Sequence, residues 1–154
     1  MEYKQLDDYS KGFLDSILIK IPEYKQYVKF KKYSDERDET YVYINIPCPS
    51  DAGINLWIST YGDETTVGFD YFHCHFGYRD SHEDDYDEVI KMIKEIINEG
   101  IINITGTREG NLAFSCFIKP EEIASMEIDY DNYDAISIKS WKGTFNEIIK
   151  GSTD

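Results

Sequence analysis

At 154 residues the chain has the length of one domain and can bury a core, and 41% apolar with 15% aromatic residues excludes a disordered chain. Thirty acids against sixteen bases give a net charge of −14, which repels nucleic acid and anionic membrane surfaces and attracts basic proteins. Cys48, Cys74 and Cys116 form no close pair and no CxxC spacing, residues 1–9 lack the apolar segment of a signal peptide, and no apolar run approaches the roughly 18 residues that span a bilayer, so a cytoplasmic protein with reduced thiols is expected.

Leu6, Tyr9, Phe13, Leu14, Ile17, Leu18 and Ile21 recur every three to four residues and predict a helix over 6–21, ended by Pro22. Gly12 in its middle costs about 1 kcal/mol relative to alanine. Residues 23–34 fit either an edge strand or a helical turn, and the charged run 35–39 reads as a loop. Residues 41–46 alternate, with Val42, Ile44 and Ile46 on one face. Residues 54–60 alternate again, Ile54, Leu56 and Ile58 opposing Asn55, Trp57 and Ser59. A hairpin connection at 61–64 leads to a third strand over 65–76.

The amphipathic stripe Tyr86, Val89, Ile90, Ile93, Ile96 and Ile97 predicts a helix over 84–99, with acids at its positive end and Gly100 as the left-handed cap. Residues 101–105 and 111–118 form a second hairpin, with Leu112, Phe114, Cys116 and Ile118 inward. A short helical piece at 121–126, a final strand at 135–141 and a terminal helix at 144–150 complete the chain. The expected architecture is a single α+β domain over residues 1–154, a mainly antiparallel sheet of about six strands with helices packed on one face. Its other face gathers Tyr41, Tyr43, Trp57, Phe117 and Trp141, either a binding surface or a second packed layer.

Unusual chemistry concentrates between Glu64 and Asp87. His73 and His75, two apart on a strand, point the same way and could share a metal with His82 or a nearby acid. Strict alternation from Val67, Phe69 and Tyr71 buries both histidines, whereas a bulge near residues 70–72 turns them outward. Cys74 points away from its flanking histidines on any strand, and Cys48 has no base placed beside it. The segment 129–134 lacks the glycine and glutamate of a calcium loop, and no serine has a nucleophile-elbow context. No catalytic residue is expected.

The order WIST (57–60), a turn, ETTVGFDYFHCHF (64–76), an acidic stretch and an amphipathic helix resembles small bacterial immunity proteins that protect a cell against polymorphic or contact-dependent toxins. The similarity covers residues 41–105. It implies a cytosolic, non-catalytic protein without a cofactor that binds a cognate toxin domain, often a basic nuclease, and blocks its active site. Charge and strand geometry suggest the contacts. Asp63, Glu64, Asp80, Glu83, Asp84 and Asp85 would steer a basic partner, with Trp57, His73 and His75 as anchors and His82 among the contacting residues. The alternatives are a metal-binding protein or metal-dependent hydrolase using His73, His75 and His82, and a homodimeric adaptor closed through the aromatic face.

Overall fold

Asp7 starts the first helix. Its carboxylate accepts the Ser10 N–H at 2.7 Å and the Ser10 hydroxyl at 2.9 Å, satisfying donors that a helix start leaves free. Helix α1 runs Asp8–Lys20, and the chain then turns through a 3-10 segment, Pro22–Tyr27. The computed structural model describes residues 2–34, 37–77 and 81–151. Contacts gather the chain into two compact units, neither continuous in sequence. The first comprises Met1–Pro47, Asn55–Gly68 and His73–Ile93, and the second Cys48–Ile54, Phe69–Phe72 and Lys94–Asp154.

The fold is α+β with antiparallel sheets. Strands β1 (Val28–Ser34), β2 (Arg37–Pro47), β3 (Asn55–Thr60), β4 (Thr65–Phe69) and β5 (Phe72–Phe76) form one sheet in that spatial order. Residues 23–34 thus resolve as a turn and an edge strand, and β2 begins inside the predicted loop 35–39. The inner face of this sheet carries Val42, Ile44, Leu56, Ile58 and Val67, all fully buried, and α1 buries Tyr9, Phe13, Leu14 and Ile17. Each such side chain contributes roughly 1.5–3 kcal/mol on burial. Helix α2 (His82–Ile97) starts two residues before the predicted 84 and buries the expected stripe, Tyr86, Val89, Ile90 and Ile93. Gly12 explains its own place in α1. A Cβ there would lie 2.7 Å from the Tyr86 hydroxyl, which donates to the Tyr9 carbonyl at 2.9 Å.

A polar chain crosses this core. The Ser10 and Thr60 hydroxyls are 2.6 Å apart, and Thr60 Oγ1 accepts the Val42 N–H at 2.9 Å. Thr60→Val keeps the shape but leaves that buried N–H without its acceptor. The expected loss is about 1–3 kcal/mol in urea denaturation, with Thr60→Ser largely restoring it.

In the second unit, β6 (Ile102–Arg108), β7 (Asn111–Ile118), β8 (Ala135–Lys139) and β9 (Glu147–Lys150) form a sheet in the order β7-β6-β8-β9. Ile102, Ile104, Ile136 and Ile138 are its core, covered by Phe114, Cys116, Ile118, Ile123, Met126, Phe145 and others. The opposite face buries a small polar network: the Thr105 hydroxyl donates to Asn103 Oδ1 at 2.7 Å and lies 3.0 Å from Ser115 Oγ.

The expected sheet of about six strands is therefore nine strands in two sheets among the described residues. Residues 144–150 are not a helix. A helix that short is marginal, and 147–150 instead pairs with β8 in antiparallel register. Leu112, expected inward, is 53% exposed, because the β6–β7 register shifts between Gly106 and Thr107: Leu112 pairs with Thr107 and so lies on the face opposite Phe114. The left-handed residue ending α2 is Glu99 (φ 61) and not Gly100. Gly100 N–H donates to the Glu95 carbonyl and Glu99 N–H to that of Ile96, the paired bonds of a Schellman end.

Candidate functional site

Alternation sets the outer face of the five-stranded sheet. Tyr41, Tyr43, Asn45, Trp57, Ser59 and Thr66 are half-buried between fully buried neighbours. Residues 65–76 do not form one strand. They fold back at Asp70-Tyr71, with Asp70 at φ 55, so β4 and β5 are a tight hairpin. The turn falls where a bulge would have been needed, and it has the same consequence. His73 and His75 are exposed, while Phe72, Cys74 and Phe76 are half-buried on the other side of β5.

Gly68 opens the seat on which Trp57 rests. A Cβ at 68 would lie 2.2–2.4 Å from the indole atoms. The indole reaches His73, ring centroids 5.9 Å apart, and His73 meets His75 edge to face at 4.9 Å. His75 Nδ1 lies 2.5 Å from Glu64 Oε1 and 3.1 Å from the Thr66 hydroxyl, which itself stands 3.4 Å from the same carboxylate oxygen. A carboxylate only accepts, so Nδ1 carries the proton shared with Glu64. The three groups act as a clasp that orients the imidazole.

His82 belongs to a different neighbourhood. Its ring sits 5.0 Å from Tyr9 and stacks on Tyr86 at 6.4 Å. Among the described residues no three His, Cys, Asp or Glu side chains converge to hold a metal ion, so His73, His75 and His82 are not assembled into one ligand set. Cys74 is kept in its thiol form by burial, which raises its pKa. The Cys48 thiol donates to the Trp141 carbonyl at 3.2 Å.

The acids separate into distinct roles. Asp63 and Glu83 are exposed. Asp84, also exposed, is tied to the helix start: Ser81 Oγ donates to its carboxylate at 2.7 Å and accepts its N–H at 3.2 Å. Asp85, expected on the steering surface, is buried (1% exposed), and its Oδ2 has no hydrogen-bond partner among the described residues. Helical spacing is the reason, since Asp85 lies four residues before Val89 and so on the core stripe of α2. The Tyr9 phenol is raised by burial, partly offset by its bond to Thr65, and raised further by the carboxylates of Asp85, Glu64 and Asp63. Burial likewise raises Tyr86, with Tyr9, Asp7, Asp85 and Asp63 adding to it. Asp80 lies outside the described residues.

Of the five aromatic residues expected on one face, Tyr41, Tyr43 and Trp57 are on the outer face of the first sheet. Phe117 and Trp141 belong to the second unit, where Phe117 packs on Phe72 at 4.9 Å and Trp141 on Phe69 at 6.0 Å. The sequence pattern does not reveal a tyrosine cluster on the first sheet. Tyr33, Tyr41 and Tyr61 pack with centroids 4.6–5.6 Å apart, and Lys31 Nζ stands 3.5 Å over the Tyr43 ring. The Tyr33 hydroxyl donates to Asp7 at 2.9 Å and accepts the Gly62 N–H at 2.7 Å. The β1–β2 register, Lys31 opposite Tyr41, brings Tyr33 beside Tyr41, and Tyr61 joins them from the β3–β4 connection. A cleft of about 390 Å³ between α1 and α2 is lined by Gly12, Ser16, Ile19, Glu83 and Tyr86, with the Lys20–Asp87 ion pair across it.

No helix among the described residues is long and apolar enough to cross a membrane. The chain matches no protein-family model, no curated protein and no solved structure.

Proposed function

We propose that the chain is an immunity protein, a cytoplasmic binding module that neutralises a basic toxin domain by covering its active site. The observation that carries this reading is the outer face of the first sheet. Trp57 on its glycine seat, exposed His73 and the clasped His75 form an aromatic and polar patch beside the acids Asp63 and Glu64, on a chain of net charge −14. Large rings with polar edges are the side chains that anchor interfaces. Exposed acids, here Asp63, Glu83 and Asp84, accelerate the encounter with a basic partner. The function requires no reaction by the chain itself. Occlusion alone stops a nuclease whose cleft is built to attract phosphates.

The experiment is binding of the toxin domain encoded immediately upstream, followed over a salt series. A tight complex is expected whose association rate falls steeply with salt while its dissociation rate changes little. Asp63→Lys with Glu83→Lys should slow association several-fold. Trp57→Ala should raise the dissociation rate about 30-fold or more, the roughly 2 kcal/mol of an anchoring aromatic residue. A complex indifferent to salt and to Trp57 would remove this reading.

A further inference from the structure

Sheet edges that solvent can reach are templates for another strand, and proteins usually blunt them with charge, brevity or bulges. Here the edges are treated unequally. Strand β1 carries Lys29, Lys31 and Lys32, and β9 is four residues long with Glu147 and Lys150. Strand β5 is five residues long and carries two imidazoles. Strand β7 is eight residues long, NLAFSCFI, and bears no charged side chain in a chain of net charge −14. It ends its sheet, none of its residues is buried, and among the described residues only β6 hydrogen-bonds to its backbone.

We infer that β7 is a self-pairing edge, where two copies of the chain join antiparallel about Cys116 and continue the four-stranded sheet across a two-fold axis. Charge selects this occupant. Two chains of −14 repel each other over most of their surfaces, and an uncharged strand lets them approach without opposing like charges. A basic partner, by contrast, gains nothing electrostatic there. The bulge selects the register. The β6–β7 pairing is regular from Phe114 to Ile118 and shifts before it, leaving Ala113 as the extra residue. Antiparallel pairing about Cys116 uses only the regular stretch. It sets Phe114 opposite Ile118 of the second copy and Ser115 opposite Phe117, so faces match and the apolar row continues. Ala113, exposed at the end of this stretch, then comes beside Lys119 of the second copy.

The test uses the chain alone, so its outcome is independent of any toxin. Sedimentation velocity over increasing concentration should show a reversible monomer–dimer equilibrium. Ala113→Lys, which sets like charges together twice in the dimer, should raise the dimer dissociation constant by about fivefold or more, and Ala113→Glu should lower it. Circular dichroism of both variants controls for folding, which an exposed position should leave unchanged. A protein that stays monomeric to about 1 mM, or a dimer equally strong in both variants, overturns the inference.

Discussion

Glu99→Ala is expected to lower the unfolding free energy by about 2–4 kcal/mol, although no exposed surface changes. Glu99 is 8% exposed, and its Oε1 accepts the backbone N–H groups of Lys142 at 2.7 Å and Thr144 at 3.2 Å. It therefore organises the loop that carries the chain from β8 into β9. Alanine leaves both donors without an acceptor and keeps the left-handed backbone at φ 61. Glu99→Gly relieves that backbone but not the donors, so it should recover only part of the loss. Glu99→Gln retains an oxygen acceptor and should lie between wild type and alanine. Burial pushes the Glu99 carboxyl upward. The hydrogen bonds from Thr144, Ser140 and Lys142 outweigh it and hold the group below its ordinary value of 4.5. A carboxylate depressed in the folded state stabilises the fold above its unfolded pKa, and that stability is lost as pH falls through both values. The urea midpoint of the wild type should thus drop below about pH 4.5, and Glu99→Gln should show a shallower drop. Equal acid sensitivity in the two proteins would mean that Glu99 is not held as an anion.

Both helices were legible because their apolar residues keep the 3.6-residue period, and a cap or proline marks their ends. The alternation of 41–46 and 54–60 likewise fixes which residues of β2 and β3 point inward. What escaped depends on contacts distant in sequence. Phe69 and Phe72 are both apolar, and Asp70 takes a left-handed conformation without a glycine to announce it, so the hairpin was hidden inside an apparently continuous strand. Residues 144–150 carry Phe145, Ile148 and Ile149, a pattern that serves a helix or a strand, and only β8 decides between them. Asp85 reads as one more surface acid because its charge argues for solvent, although its spacing of four from Val89 puts it on the core stripe of α2. The candidate patch was legible in part. Trp57, His73 and His75 were recognisable as residue types, but Thr66 as a clasp partner and Gly68 as a seat appear only when β3, β4 and β5 lie side by side.

Gly68→Ala should cost about 1–3 kcal/mol of stability by overpacking and should weaken partner binding through Trp57. The added methyl would overlap the indole at 2.2–2.4 Å, so the ring must leave its seat and with it the contact to His73 at 5.9 Å. The two effects share one cause, and a double-mutant cycle isolates it. With Trp57→Ala the indole atoms that the methyl would overlap are gone. The methyl also removes the conformational entropy penalty of a glycine within a strand. Gly68→Ala should therefore be neutral or slightly stabilising in that background, giving a coupling energy of at least about 1 kcal/mol. Trp141→Phe leaves Trp57 as the sole indole, and its emission should shift to longer wavelength when Gly68→Ala expels the ring into solvent. Equal stability costs with and without the indole would show that Gly68 serves the strand alone. A seated ring with unchanged partner affinity would instead move the anchor away from Trp57, towards the tyrosine cluster at Tyr33, Tyr41 and Tyr61.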